Sequence, residues 1–399
     1  MAGPLDGYRV LELTTTVSGP MAAMVLADQG ADVIKIEPPI VGDPGRYLGS
    51  SRNGMAALFA VLNRNKRSLE LNLKEEADLA VFLRLVEGAD IFLENYRPGV
   101  VEKLGIDFES LSKINPKLIY ASISGYGQTG PYRNRKVFDP SIQATVGISH
   151  DQGGDRPKNV RTIIFDKVTA LLTSQALTVA LLQREKTGQG RYLPISMLDS
   201  ALYYAWPDLM WSRTLIGEGV AHMGEIGDWF QIFKAKDGYV SIVLVRDEAL
   251  EFLSIWRQSA LHEDPRFKTF PDRQANAEAL QEAVEELLAD VSADEVCENL
   301  DAFGVPVARV NSLDEVADDI QVKYAETLIE TTHPTIGEMR YPRPPIQFDK
   351  DAVFPRRHAP LLGDDTRDVL GEAGIAEEEI VRLEERVLAG RAVLGQISS

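Results

Sequence analysis

The sequence of 399 residues is short of several things, and each shortage closes off a class of function. With one cysteine, Cys297, no internal disulfide can form, and its acidic, helix-like surroundings read as those of a half-buried thiol without chemistry of its own. The five histidines (His150, His222, His262, His333, His358) are scattered, with no pair at helical ligand spacing and no carboxylate–histidine cluster, which disfavours a hydrolytic metal site. A serine nucleophile has no Gly-x-Ser-x-Gly elbow to sit on. No basic and apolar leader opens the chain and no apolar run of about 18 residues stands out, so the expectation is a cytoplasmic protein without membrane contact. Positive charge is also scarce: 42 Lys+Arg face 60 Asp+Glu, a net charge of −18 that argues against a nucleic-acid partner.

What is present is enough for a large core: 44% of the residues are hydrophobic, and the length suits two domains or one domain with a large insertion. The charge deficit is uneven. Residues 1–200 hold 23 basic and 22 acidic side chains, whereas residues 201–399 hold 19 and 38. The near-neutral half and the acidic half are expected to do different work.

The first half alternates strand and helix. Arg9–Thr14 reads as a strand, Met21–Gln29 as a helix and Asp32–Glu37 as a second strand, which is one βαβ unit. Strands at Ser68–Leu73, Ala89–Glu94, Leu118–Ser124 and Arg191–Ile195 follow, with helices at Glu75–Glu87, Val100–Leu104 and Lys167–Lys186. This grammar implies a parallel sheet covered on both faces. Gly125–Asn159 reads as loop, and Leu198–Trp211 as an aromatic helix. From about residue 212 the pattern changes: Gly217, Gly219, Gly224 and Gly227 bracket a flexible segment, and Trp229–Lys234 with Tyr239–Val245 predicts an antiparallel hairpin turning at Asp237-Gly238. Acidic helices come next, then a proline-rich linker and two short helices.

A βαβ opening with Glu37 some 20 residues on invites a dinucleotide reading, but the first turn, Thr14-Thr15-Thr16-Val17-Ser18-Gly19-Pro20, has one glycine where a pyrophosphate turn wants three. Cations and polar groups gather instead near expected strand ends: Asn63–Ser68 and Lys74, then Asn95-Tyr96-Arg97 with Lys103, then Arg133, Arg135 and Lys136. Together they suggest a ligand with several phosphates and a flat ring, held where helix N-termini favour anions. Asp166 ends the apolar, strand-like run Thr162–Phe165 and begins a long helix. An aspartate there is either a helix N-cap or an ionised nucleophile, and the pattern alone leaves both open.

Several motifs now occur together and in order: Leu26-Ala27-Asp28-Gln29-Gly30-Ala31-Asp32-Val33-Ile34-Lys35-Ile36-Glu37, Asn65-Lys66-Arg67-Ser68, Glu94-Asn95-Tyr96-Arg97-Pro98-Gly99, Ser124-Gly125-Tyr126-Gly127-Gln128-Thr129-Gly130-Pro131 and His358-Ala359-Pro360-Leu361-Leu362-Gly363. In this the chain resembles the class III CoA-transferase family, which includes formyl-CoA:oxalate and carnitine CoA-transferases and α-methylacyl-CoA racemases. The resemblance implies an α/β fold: a Rossmann-type parallel sheet in a large domain, a smaller α+β domain and an interlocked homodimer. It implies a large domain over residues 1–205 and 346–399, a linker with a glycine-rich loop at 206–225, a small domain at 226–325 and a second linker at 326–345. It further implies no tightly bound cofactor, and a coenzyme A thioester as substrate with a carboxylic acid as its partner. Coenzyme A contacts would come from Val17, Ser18, Leu71, Asn72, Lys74, Asn95, Tyr96, Arg97, Lys103 and Lys136. Pro38 departs from relatives that carry an arginine there.

By the same resemblance Asp166 is the catalytic aspartate, attacking the thioester to form an anhydride and then an aspartyl-CoA thioester, while the Gly217–Gly227 loop shields these from water. Racemisation at the α-carbon of a 2-methylacyl-CoA is the alternative, and it needs a second acid–base group. Phe138 stands where racemases place a histidine, which favours transfer and leaves His150 or Glu225 as the other candidate bases. Tyr47, Leu58, Tyr203, Tyr204 and Trp206 are either acyl-pocket or core residues.

Overall fold

The computed structural model describes residues 3–152, 155–221, 225–348 and 356–397. They fall into two compact units, residues 1–204 with 326–399, and residues 205–325. The first unit is built on six parallel strands: β1 (Arg9–Leu13), β2 (Asp32–Glu37), β3 (Lys66–Glu70), β4 (Ile91–Glu94), β5 (Ile119–Ser124) and β6 (Arg191–Ser196). Across the sheet they run β3-β2-β1-β4-β5-β6. The chain winds outward from β1 to β3 and then crosses to β4 on the other side of β1, the doubly wound Rossmann order.

Strands covered on both faces send successive side chains into two apolar layers. Leu11, Ile34, Phe92 and Tyr120 pack on one side with Phe82 and Leu85 of the helix Glu76–Glu87 and with Leu370 and Leu383 of the C-terminal helices. Val10, Val33, Leu93 and Ile123 face the other way, onto Ala22, Ala23 and Leu26 of α1 (Ser18–Asp28), Ile142 of α2 (Asp139–Thr145) and Phe165 and Leu177 of α3 (Phe165–Thr187). The C-terminal segment returns to seal the edge of β3. Ser68 N–H donates to Asp365 (2.9 Å), Asp365 N–H donates to the Ser68 carbonyl (3.1 Å), and Gly363 N–H donates to the Ser68 hydroxyl oxygen (3.0 Å). An edge so covered has no ladder left to offer another chain.

The second unit, taken by itself, is a three-stranded antiparallel sheet of Gln231–Lys234, Tyr239–Ile242 and Val307–Arg309. Phe233, Val240 and Ile242 pack on Leu253, Leu280, Val284 and Leu300 of the acidic helices, whose charges face solvent. Cys297 packs at the margin of this core, where burial raises its thiol pKa.

Several local expectations change. Thr162–Phe165 is no strand, because β5 pairs directly with β6 and leaves no slot between them. Within the stretch read as loop, Asp139–Thr145 is helical, with Pro140 in its first turn where a missing N–H costs nothing. Residues 328–342, within the second expected linker, form the hairpin Leu328–His333 with Gly337–Pro342. The last helix, Glu377–Ile397, is 21 residues long rather than short. One helix, α3, is after all long and apolar enough to cross a membrane by length and composition. In this fold Phe165, Ala170, Leu177 and Leu181 of that helix are buried against the sheet and α1, while Leu171, Val179 and Leu182 are exposed.

Beneath the turn after β1 lies a sealed ionic lattice. Lys35 Nζ on β2 meets Glu12 of β1 (3.0 Å) and Asp43 (2.9 Å), and donates to the Thr14 carbonyl (2.9 Å). Lys66 Nζ at the start of β3 meets the other Glu12 oxygen (2.7 Å) and donates to the Pro20 carbonyl (2.8 Å). Glu12, Lys35 and Lys66 are all fully buried. Burial works to raise the Glu12 pKa, but the two ammonium groups overcome it and hold the carboxyl at about 2. Burial pushes Lys66 down to about 8. Replacing Lys35 by Met leaves the buried Asp43 without its ammonium partner and Glu12 with Lys66 alone, so Lys35→Met is expected to lose about 3–5 kcal/mol of stability, read as a lower urea midpoint at pH 7.

Candidate active site

Because the chain leaves β1 and β4 in opposite directions, a crevice opens at their carboxyl ends. A cleft of about 360 Å3 lies there, with Thr15, Thr16 and Ser18 on one wall, Asn95, Tyr96 and Arg97 on the next, and Gly125, Phe138 and Asp166 closing it. The two turns are tied across the crevice: Thr15 N–H donates to Asn95 Oδ1 and Asn95 Nδ2 donates to the Thr15 carbonyl, both at 2.9 Å. Thr16, at φ 71°, is pinned through its N–H to Asp43 (2.9 Å). Gly19 permits this path, since a Cβ there would sit 2.3 Å from Thr14 Cβ.

Helix α1 begins at Ser18 without a side-chain cap, so its first amides are free to serve another group. That group is Asp166: the Ser18 hydroxyl and N–H both donate to its carboxylate. Asp166 lies in the first turn of α3, yet it does not cap that helix. Asp139 does so from α2, its Oδ2 accepting the N–H groups of Phe165 (2.6 Å) and Asp166 (3.0 Å). Gln143 steadies Asp139 by donating to Oδ1 (2.5 Å) while its own Oε1 accepts Val160 N–H (2.8 Å). Relieved of capping, the Asp166 carboxylate faces the cleft. Burial, followed by the Asp139 charge, pushes its pKa up to about 6, with Ser18 restraining the rise. It is ionised at neutral pH and more basic than an ordinary aspartate.

The rim is cationic. Arg97, Arg133, Arg135 and Lys136 line the cleft, are exposed, and form no ion pair among the described residues, while Arg135 lies over the Tyr132 ring at 3.5 Å. Such a set can hold several phosphate oxygens. Among the described residues no cluster could hold a metal ion.

Of the residues expected from the sequence, Ser18, Asn95, Tyr96, Arg97, Lys136 and Asp166 meet in this cleft. Val17 and Leu71 are buried in apolar clusters. Asn72 is engaged locally, its N–H donating to Asp78 (2.8 Å) and its Oδ1 accepting Lys74 N–H (3.3 Å), while the Lys74 and Lys103 side chains are exposed away from the lining. The polar run Asn63–Ser68 is internal: Arg64 pairs with Asp28, Lys66 with Glu12 and Arg67 with Asp32. Glu37 cannot serve a ribose, because Arg46 occupies both of its oxygens at 2.7 and 2.8 Å. Tyr47, Tyr203 and Tyr204 are exposed outside the cleft lining, and Leu58 packs near Val17. Gly217 and Gly219 adopt positive φ in the second unit, and Gly224 lies outside the described residues. His150 is exposed and does not line the cleft, and Glu225 accepts the Ser212 hydroxyl (2.9 Å) within the second unit. Asp139 and Gln143 are the residues that sequence reasoning missed; the only local signal was an acid directly before Pro140 at a helix start.

The sequence profile of CoA-transferase family III matches residues 5–366. The chain belongs to CoA-transferase family III. This transferase is 34% identical to the succinyl-CoA:glutarate CoA-transferase of Mus musculus, covering 92% of this chain and 86% of that one. It is 36% identical to the acetyl-CoA:oxalate CoA-transferase of Acetobacter aceti, over 91% and 94%. A CAIB/BAIF family protein from Brucella suis superimposes at TM-score 0.82 with 32% identity, covering 94% and 100%. The enzyme is an acyl-CoA:carboxylate CoA-transferase.

The raised Asp166 pKa sets a stability test. Between the unfolded value of 3.8 and the folded value of about 6 the native state binds more protons, so this group's contribution falls as pH rises through that window and stays lost above it. Asp166→Asn removes the penalty. It is expected to raise stability at pH 7.5 by roughly 1–3 kcal/mol, with the gap closing below about pH 4, as read from denaturation midpoints at both pH values.

Proposed function

We propose that the enzyme moves coenzyme A between two carboxylic acids through covalent intermediates on Asp166. The observation that carries this is a half-buried carboxylate that caps no helix, held by Ser18 at a helix N-terminus and facing a cationic cleft. The Asp166 oxygen attacks the thioester carbonyl and the C–S bond breaks, leaving a mixed anhydride and coenzyme A thiolate. That thiolate attacks the Asp166 carbonyl carbon, giving an aspartyl-CoA thioester and releasing the first acid as carboxylate. The second carboxylate displaces the thiolate to form a new anhydride, and the thiolate then attacks its acyl carbon. Asp166 returns as carboxylate. Each step exchanges one activated acyl group for another, so no strong acid or base is called for.

In this reading Arg97, Arg133, Arg135 and Lys136 take the phosphates of coenzyme A and Tyr96 borders the flat ring. No cofactor is retained between turnovers. The named acceptors of the relatives, glutarate and oxalate, are dicarboxylates. A cationic rim suits a short dicarboxylate here as well. Phe138, 73% exposed on the rim, has no transferable proton, which supports transfer over α-carbon racemisation. The exposed Leu171, Val179 and Leu182 of α3 fit a homodimer.

Two outcomes follow. With succinyl-CoA and a panel of dicarboxylates, hydroxylamine is expected to convert the activated aspartate of the intact subunit into a hydroxamate that is absent in Asp166→Ala, with transfer reduced at least 1,000-fold, an order set by loss of a covalent nucleophile. Solvent deuterium entering the α-carbon without transfer would overturn the proposal. Arg97→Ala and Lys136→Ala are each expected to raise the KM for acyl-CoA about 5- to 30-fold and to flatten its salt dependence, as steady-state assays at two ionic strengths would show.

A further inference from the structure

Glu94 is a buried acid that the transfer mechanism does not use. It ends β4, the strand beside β1 at the crossover, is 1% exposed and does not line the cleft. Its Oε2 accepts the N–H of Tyr96 at 2.7 Å, and the Ser122 hydroxyl on β5 donates to the same carboxylate. Ser122 in turn accepts from Gln128 Nε2 at 2.7 Å, in the loop after β5. The carboxylate thus sits directly beneath Asn95-Tyr96-Arg97, the turn whose outer face carries the Thr15 clamp and one rim cation.

We propose that Glu94 is a positioning residue for coenzyme A, its ionised carboxylate holding the Asn95–Arg97 turn in the binding geometry. The inference rests on the reading of the cleft as the coenzyme A site. The titratable groups facing Glu94 are Glu102 from the helix Val100–Leu104, Tyr96 from the turn itself, Tyr120 on β5 and Tyr192 on β6, and none is a cation. Burial, with Glu102 adding to it, places the Glu94 pKa at about 7. When ionised, the carboxylate accepts from both Tyr96 and Ser122. Once protonated it must donate from one oxygen, and one of the two bonds weakens. Coenzyme A affinity is therefore greatest above neutrality and declines as pH falls through about 7. Asp166, by contrast, gates the chemical step at about pH 6 and acts on kcat.

The test is calorimetric binding of free coenzyme A to the full-length enzyme from pH 5.5 to 8.5. A phosphate of coenzyme A titrates in the same range, so the decisive quantity is the difference between proteins. Wild type is expected to lose about 5- to 10-fold in affinity across the range beyond the loss seen for Glu94→Gln. That variant binds weakly, with only the pH dependence that the coenzyme A phosphate supplies, and its defect falls on KM more than on kcat. Ser122→Ala removes a donor that favours the ionised form and shifts the pH limb upward, a change that a merely structural acid would not produce. If wild type and Glu94→Gln share one pH profile, or if Ser122→Ala leaves the limb in place, the inference is overturned. If Arg97→Ala does not weaken coenzyme A binding, the cleft assignment fails instead.

Discussion

Everything in the site hangs on charges that never meet solvent. Lys35 and Lys66, sealed between Glu12 and Asp43, draw the carboxyl ends of β1, β2 and the segment before β3 onto one point. Because Lys35 also holds the Thr14 carbonyl and Asp43 holds Thr16 N–H, the lattice fixes the path of the turn between β1 and α1. Such an arrangement costs a large desolvation, and apolar residues of equal volume would give comparable stability. What it supplies here is position: the start of α1, and with it the Ser18 donors, is set relative to β4 and α3.

From that fixed turn the site divides its acids by role. Asp139 serves the backbone, capping α3 from below, and its buried charge both orients Asp166 and raises its basicity. Asp166 is left with one carboxylate face toward the cleft, and Ser18 restrains the rise of its pKa. Glu94 serves the adjacent turn in the same fashion. Three carboxylates, one in the crevice and two behind its walls, thus have three environments, and the environment decides which is free to react.

Much of this was legible in the sequence, and the reasons differ by element. β2 falls at Asp32–Glu37 and the short helix at Val100–Leu104, both as expected, because runs such as Val33-Ile34-Lys35-Ile36 admit few other readings. The family motifs led to Asp166, Ser18 and the Asn95–Arg97 turn, which strand-end reasoning had reached only in part. Charge alone misled at Asn63–Ser68, since no local pattern tells a solvated lysine from one such as Lys66, buried against a carboxylate 54 residues earlier in the chain. Asp139 was hidden for the same reason: its partners are N–H groups on another helix. Thr162–Phe165 has strand composition but no strand to pair with, and pairing is decided by the whole sheet.

The central claim, that oxygen passes through Asp166, can be followed directly. Turnover with an acceptor acid labelled in its carboxylate with heavy oxygen places a labelled oxygen in the bridge of each new anhydride, and attack of the thiolate on the acyl carbon leaves that bridging oxygen on the aspartate while the other stays in the new thioester. Mass analysis of the peptide carrying Asp166 is predicted to show one heavy oxygen at that residue after a single turnover and quenching, with a second accumulating over further turnovers. Full turnover with no label on Asp166 would contradict the account and require direct transfer between the two substrates.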